Sequence, residues 1–142
     1  MATQLTNTAA QTVLPNGQVI YNSRVGGGCC CHSSEFWREN SGAVWLKCPG
    51  RYEVTFSANI GGTVVGPVAL AIQIGGVTLP ETIMESTTAA AGDLNSVSTS
   101  TIIDYCGFGG SGITVVNVGT TDATDVTVNV QNPNITVRRI CC

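Results

Sequence analysis

The residues best suited to chemistry lie in Gly26–Glu35, GGGCCCHSSE. Cys29, Cys30 and Cys31 precede His32, the only histidine, and a second pair, Cys141 and Cys142, stands at the end of the sequence. Thiols beside an imidazole can bind a metal, act as nucleophiles, cycle redox state or join chains. A zinc site needs four ligands that converge on a tetrahedron, normally from spaced Cys pairs. Four consecutive residues cannot wrap one ion without severe strain. Cys30 and His32 would therefore need Cys141, Cys142 or another chain to complete a site. A nucleophile needs a base held toward it and a third group to orient that base. Cys31 and His32 are neighbours whose side chains diverge, so the pair makes a poor dyad. The tight spacing of Cys29 to Cys31 is not that of a C-x-x-C redox motif.

Disulfides are the reading these thiols favour. Adjacent cysteines rarely bond to each other because the required geometry is narrow, so each looks for a distant partner. The chain has seven cysteines. An odd number, fully oxidised, leaves one thiol free or shares a bond with another chain. Cys48 and Cys106 fall at predicted strand ends, while the clusters lie near both termini in segments suited to reaching a neighbour. Cross-links between subunits through Cys29, Cys30, Cys31, Cys48, Cys106, Cys141 and Cys142 are expected. Intrachain bonds, buried free thiols and a metal remain the alternatives.

Other motifs have plainer readings. GFGGSG, Gly107–Gly112, has the spelling of a dinucleotide loop, but that loop works by opening a helix. Here ITVVNV follows, so a turn between strands is expected and no cofactor is. TTDATD, Thr120–Asp125, lacks the ligand density of a calcium loop. The sequon Asn134-Ile135-Thr136 falls in a predicted strand. The carboxylates show no pair on one strand face, and no enzymatic activity is expected.

Composition narrows the partners. The net charge is −3, and the Lys and Arg residues total six. The only basic cluster, Arg138-Arg139, points to opposite faces of a strand, so a nucleic-acid stripe is absent. No apolar run approaches the roughly 20 residues of a membrane helix. Charged residues make up 11% of the chain, against roughly 25% for an average soluble domain. A surface so short of charge is expected to be covered in part by copies of itself. The first residues, MATQLTNTAAQTVLPNG, do not read as a secretory leader, yet cysteine density favours an oxidising setting. A reduced cytosolic protein with a metal or free thiols would reconcile the two; so would synthesis inside a cell, release by lysis and later oxidation, the route of virions and endospores.

The elements that must position these residues are strands. Helix signals are nearly absent; Glu81–Leu94 is the one candidate, weakened by Thr82, Thr87, Thr88 and Gly92. Arg51–Ile60 puts Tyr52, Val54, Phe56, Ala58 and Ile60 on one face and polar residues on the other, the mark of a half-buried strand. Pro67–Ile74 is apolar on both faces, which predicts that both are covered. Ser96–Tyr105, Ile113–Val118, Asp125–Val130 and Ile135–Ile140 follow, with shorter strands at QVIYN and AVWLKC. The spacing is that of an all-β sandwich or barrel. Tyr52, Val54, Phe56, Val68, Leu70, Ile72, Val115, Val128 and Val137 are the predicted core. Residues 1–40 read as an N-terminal arm with the first short strands, and residues 41–142 as the main domain.

GRYEVTF, GPVALAIQIGG and ITVRRI resemble the jelly-roll domains related to tumour necrosis factor and C1q. They are similar in particular to bacterial and phage versions, such as the C-terminal domains of exosporium glycoproteins and small structural proteins of Firmicutes and their phages. The resemblance covers about residues 43–140. It implies a two-sheet antiparallel jelly-roll sandwich, a homotrimer, and a role in display, adhesion or structure without catalysis. The chain departs from the stalked members in having no Gly-X-Y repeat ahead of the domain, which favours a free-standing unit of an extracellular fibre, spore surface or virion. The second reading is a head that binds a receptor or glycan through an aromatic patch. Phe36, Trp37 and Trp45 are its candidates, although the plainer expectation is that they fill the end of the sandwich.

Overall fold

The computed structural model describes residues 2–25, 35–37, 40–107, 112–121 and 125–141. Two antiparallel sheets face each other. Numbered in chain order, the first runs β10 (Asn95–Tyr105), β6 (Gly50–Gly62), β12 (Val128–Cys141), β1 (Ala2–Thr6), β3 (Ser23–Val25), with β2 (Gln11–Val13) also on β12. The second runs β4 (Glu35–Trp37), β5 (Val44–Leu46), β11 (Gly112–Asn117), β7 (Gly66–Ile74), β8 (Val77–Thr78), with β9 (Met84–Thr88) also on β7. This is an all-β, two-sheet sandwich, as the spacing of strands and turns predicts.

Period-two alternation explains the core. Tyr52, Val54, Phe56 and Ile60 of β6 are buried, as are Val128, Val130, Ile135 and Val137 of β12. They form one cluster with Val68, Leu70 and Ile72 of β7 and Ile113 and Val115 of β11. All nine predicted core residues are in it. Burying each such side chain contributes about 1.5–3 kcal/mol. The doubly apolar strand is also as expected, since Ala69 and Ala71 on its second face are buried.

Three elements differ from the sequence reading. Asp125–Val130 and Ile135–Ile140 are not separate strands; β12 takes in the end of the first, from Val128, and all of the second, while residues 125–127 precede it. Its register against β6 shifts between Gln131 and Asn134, where Asn132 takes φ 51°. Pro133 has no N–H to give a ladder, and a bulge takes up the irregularity without ending the strand. The helix candidate resolves into a short 3₁₀ turn, Pro80–Thr82, followed by β9. Thr82 pins that turn: its buried hydroxyl donates to the Leu79 carbonyl at 2.7 Å and accepts from Ile72 N–H at 3.0 Å. QVIYN makes only isolated bridges, Gln18 to Val116 and Tyr21 to Ser41.

Candidate functional site

Three features stand out as candidate functional surfaces. The first is a gathering of cysteine positions. Tyr105 of β10 pairs with Gly50 of β6, and Cys141 of β12 pairs with Arg51. The residues next to these pairs put Cys48, Cys106 and Cys141 at one end of the first sheet, although they are far apart in sequence. Side chains tie this end together. Tyr52 Oη donates to the Cys48 carbonyl at 2.6 Å, and Arg139 donates to the Pro49 carbonyl. A Cβ on Gly107 would lie 2.7 Å from the Pro49 ring, so the chain after Cys106 closes directly onto the residue after Cys48. Cys48 is half-buried, Cys106 is exposed, and both thiols are free. Cys29, Cys30, Cys31, His32 and Cys142 lie outside the described residues. Among the described residues, no group of His, Cys, Asp or Glu is arranged to hold a metal.

Strand directions bear on the rest of the cluster. β3 is antiparallel to β1, which is antiparallel to β12. Val25 therefore ends a strand that heads for the same end as Cys141. Glu35 pairs with Leu46, two residues before Cys48.

The second feature is the outward face of the first sheet. Its middle is a carpet of short hydroxyls and amides: Thr55 and Ser57 of β6, Ser98 and Ser100 of β10, and Asn134 and Thr136 of β12. Among the described residues of this face, charge appears only toward the cysteine end, where Arg51 meets Asp104 and Arg138 meets Glu53. Arg51 grips Asp104 with two hydrogen bonds, at 2.7 and 3.2 Å, and Arg138 bonds Glu53 at 2.9 Å. The Arg51 contact holds the Asp104 carboxyl below its usual range. Ile102 and Ile140 are exposed near the same end.

The third feature lies on the second sheet. Val44 and Leu46 of β5 point into the core, so Trp45 between them points out. It is 43% exposed. The expectation that Trp45 fills the end of the sandwich is wrong, because strand parity places it on the outer surface. Phe36 and Trp37 pair with Trp45 and Val44 as backbone partners; their side chains lie outside the described residues. Beside Trp45 runs an open groove of about 580 Å³, floored by Gly112, Thr114 and Val116 of β11. Gln18 and Gln73 flank it, and the Gly75-Gly76 turn closes one side. That turn has positive φ at both residues, 56° and 84°, the tight hairpin that glycine permits. The groove escapes sequence reasoning because residues 16–18 reach β11 through single bridges and loop hydrogen bonds. The only signal was one tryptophan at an outward parity position.

GFGGSG does not open a helix: Gly112 begins β11. The sequon lies inside β12, as expected. Residues 122–124 of TTDATD are outside the described residues.

Comparison with solved structures defines the fold. The globular domain of zebrafish complement 1qA protein matches at a TM-score of 0.66, with 13% identity over 98% of this chain and 96% of that one. Eiger TNF from S. frugiperda matches at 0.63, with 13% identity over 99% and 92%. Murine APRIL at pH 5.0 matches at 0.58, with 13% identity over 97% and 99%. The chain thus has the jelly-roll fold of tumour necrosis factor and C1q domains. No family model matches it, and no curated protein matches its sequence. No helix among the described residues is long and apolar enough to cross a membrane.

Proposed function

We propose that this protein is a non-enzymatic structural unit of the bacterial or phage type. It assembles as a homotrimer and then, through disulfides between subunits, into an extracellular particle or fibre such as a spore surface or virion. The observation that carries this reading is the outward face of the first sheet. A wide face of hydroxyls and amides, with its few charges already paired in the same chain, offers no repulsion to a copy of itself. Small polar side chains also let a partner backbone approach closely. The low overall charge agrees, because a monomer normally keeps a well-charged surface. TNF and C1q domains usually form trimers, which supports a third of this kind.

The cysteine end supplies the fastening in this reading. Cys48, Cys106 and Cys141 sit where Ile102 and Ile140 are exposed, so a neighbour docked there would bury apolar surface beside thiols. The seven cysteines are the proposed cross-link residues. Non-reducing gels should show a ladder of multimers that collapses to one band with reductant. Replacing Cys29, Cys30 and Cys31 by Ser should leave the circular dichroism unchanged while the ladder shortens. A single monomer band in both lanes, with all seven thiols titratable in the assembled protein, would contradict the cross-linking.

The second reading, a head that holds a glycan or receptor, is favoured by the outward position of Trp45.

A further inference from the structure

We infer that the groove along β11 is a binding site for neutral pyranose sugars, with Trp45 as its stacking platform. This rests on the second reading above, and it names the site and the ligand class. The platform comes first. A Cβ added to Gly112 would lie 3.3, 3.3 and 3.4 Å from three successive carbons of the indole benzo ring, Cη2, Cζ3 and Cε3. A point nearly equidistant from three successive ring carbons lies over the ring face, not beyond its edge. The indole is therefore laid flat against the Gly112 backbone, which fixes its plane. Its other face looks outward, consistent with the 43% exposure. Glycine is what permits this: any side chain at residue 112 presses on the ring.

The lining selects the ligand. Aromatic faces carry negative charge density and attract polarised hydrogens. The axial C–H hydrogens of a pyranose present a flat array of that kind. Beyond Trp45 the groove offers amides and a hydroxyl, from Asn16, Gln18, Gln73 and Thr114, and among the described residues that line it none is charged. Gln73 Nε2 donates to Thr78 Oγ1 at 2.9 Å. That contact orients the amide. An amide can both donate and accept, which suits sugar hydroxyls. Among these described residues an acidic sugar would find no cation, and a basic ligand no carboxylate. The volume of about 580 Å³ lies within the roughly 300–1,000 Å³ range of small-molecule sites. The open shape fits part of a longer glycan better than an enclosed metabolite.

The test uses the full chain in its native assembly. Chitotriose, cellotetraose, maltotetraose, galactobiose and mannotriose are titrated against tryptophan fluorescence, with sialyllactose and a heparin tetrasaccharide as acidic comparisons. At least one neutral glycan should bind saturably, and the acidic ones at least tenfold more weakly. Trp45→Ala should lose binding tenfold or more in calorimetry, while Trp45→Phe keeps part of it. Gly112→Val should weaken binding by displacing the ring, and Gln73→Ala should weaken it without touching the ring. Far-ultraviolet circular dichroism and sedimentation of each variant check folding and assembly. Any of three results overturns the inference: no neutral glycan binding, binding unchanged in both Trp45→Ala and Gln73→Ala, or preference for the acidic glycans. A change of oligomeric state in Trp45→Ala also overturns it, because the groove would then be covered by a second copy. The assembly reading is tested separately, since its proposed surface is the opposite sheet.

Discussion

At the residue scale, single polar atoms decide how loops attach to the sandwich. Asn117 is nearly fully buried on β11, a position that alternation assigns to an apolar residue. Its amide donates to the Val13 carbonyl at 3.1 Å and the Val126 carbonyl at 2.8 Å, and its Oδ1 accepts from Gly119 N–H at 3.2 Å. One side chain thus satisfies three backbone groups from three segments. Asn117→Ala strands those groups and should cost about 1–3 kcal/mol, read as a lower urea midpoint with an unchanged slope. Tyr21 is the contrasting case. It is fully buried, its hydroxyl has no partner among the described residues, and burial pushes its pKa up.

At the element scale, the strands were legible where one face is core and the other is not. Tyr52, Val54 and Phe56 alternate with Arg51, Glu53 and Thr55, and β6 follows that pattern as far as Ile60, where Gly61 and Gly62 are buried as well. Residues 125–140 were less legible, because Pro133 reads locally as a break. Only the partner strand shows that β12 passes through a bulge and continues. Of the groove only Trp45 was legible, since its floor and flanks come from residues 16–18, 45, 73 and 112–116, and no local pattern links them. Element joints also depend on close backbone approach. A Cβ on Gly61, near the end of β6, would sit 1.9 Å from the Asp93 carbonyl oxygen, closer than any backbone can tolerate. Gly61→Ala should therefore pull the 90–94 turn off β6. Hydrogen exchange should show faster amides at residues 59–62 and 93–97, with β7 and β11 still protected. Unchanged exchange across both segments would mean the turn has room to move.

At the scale of the whole molecule, surface chemistry separates the two sheets. The first presents a neutral hydroxyl and amide face that ends in cysteine positions and exposed isoleucines. The second presents a tryptophan over a glycine floor. In the proposed reading, this division gives one face to self-association and leaves the other open to a ligand. The clustering of Cys48, Cys106 and Cys141 was not legible in the sequence, because it depends on the registers of β10 and β12 against β6. The measurement that bears most directly on the account is the mass of the reduced protein in solution. Sedimentation equilibrium in excess reductant removes any disulfide and leaves only the non-covalent contacts proposed for the first sheet. The account predicts a species of three chains, which Thr55→Arg with Ser98→Arg should dissociate to folded single chains. A folded monomer of the unaltered reduced protein at micromolar concentration would contradict it.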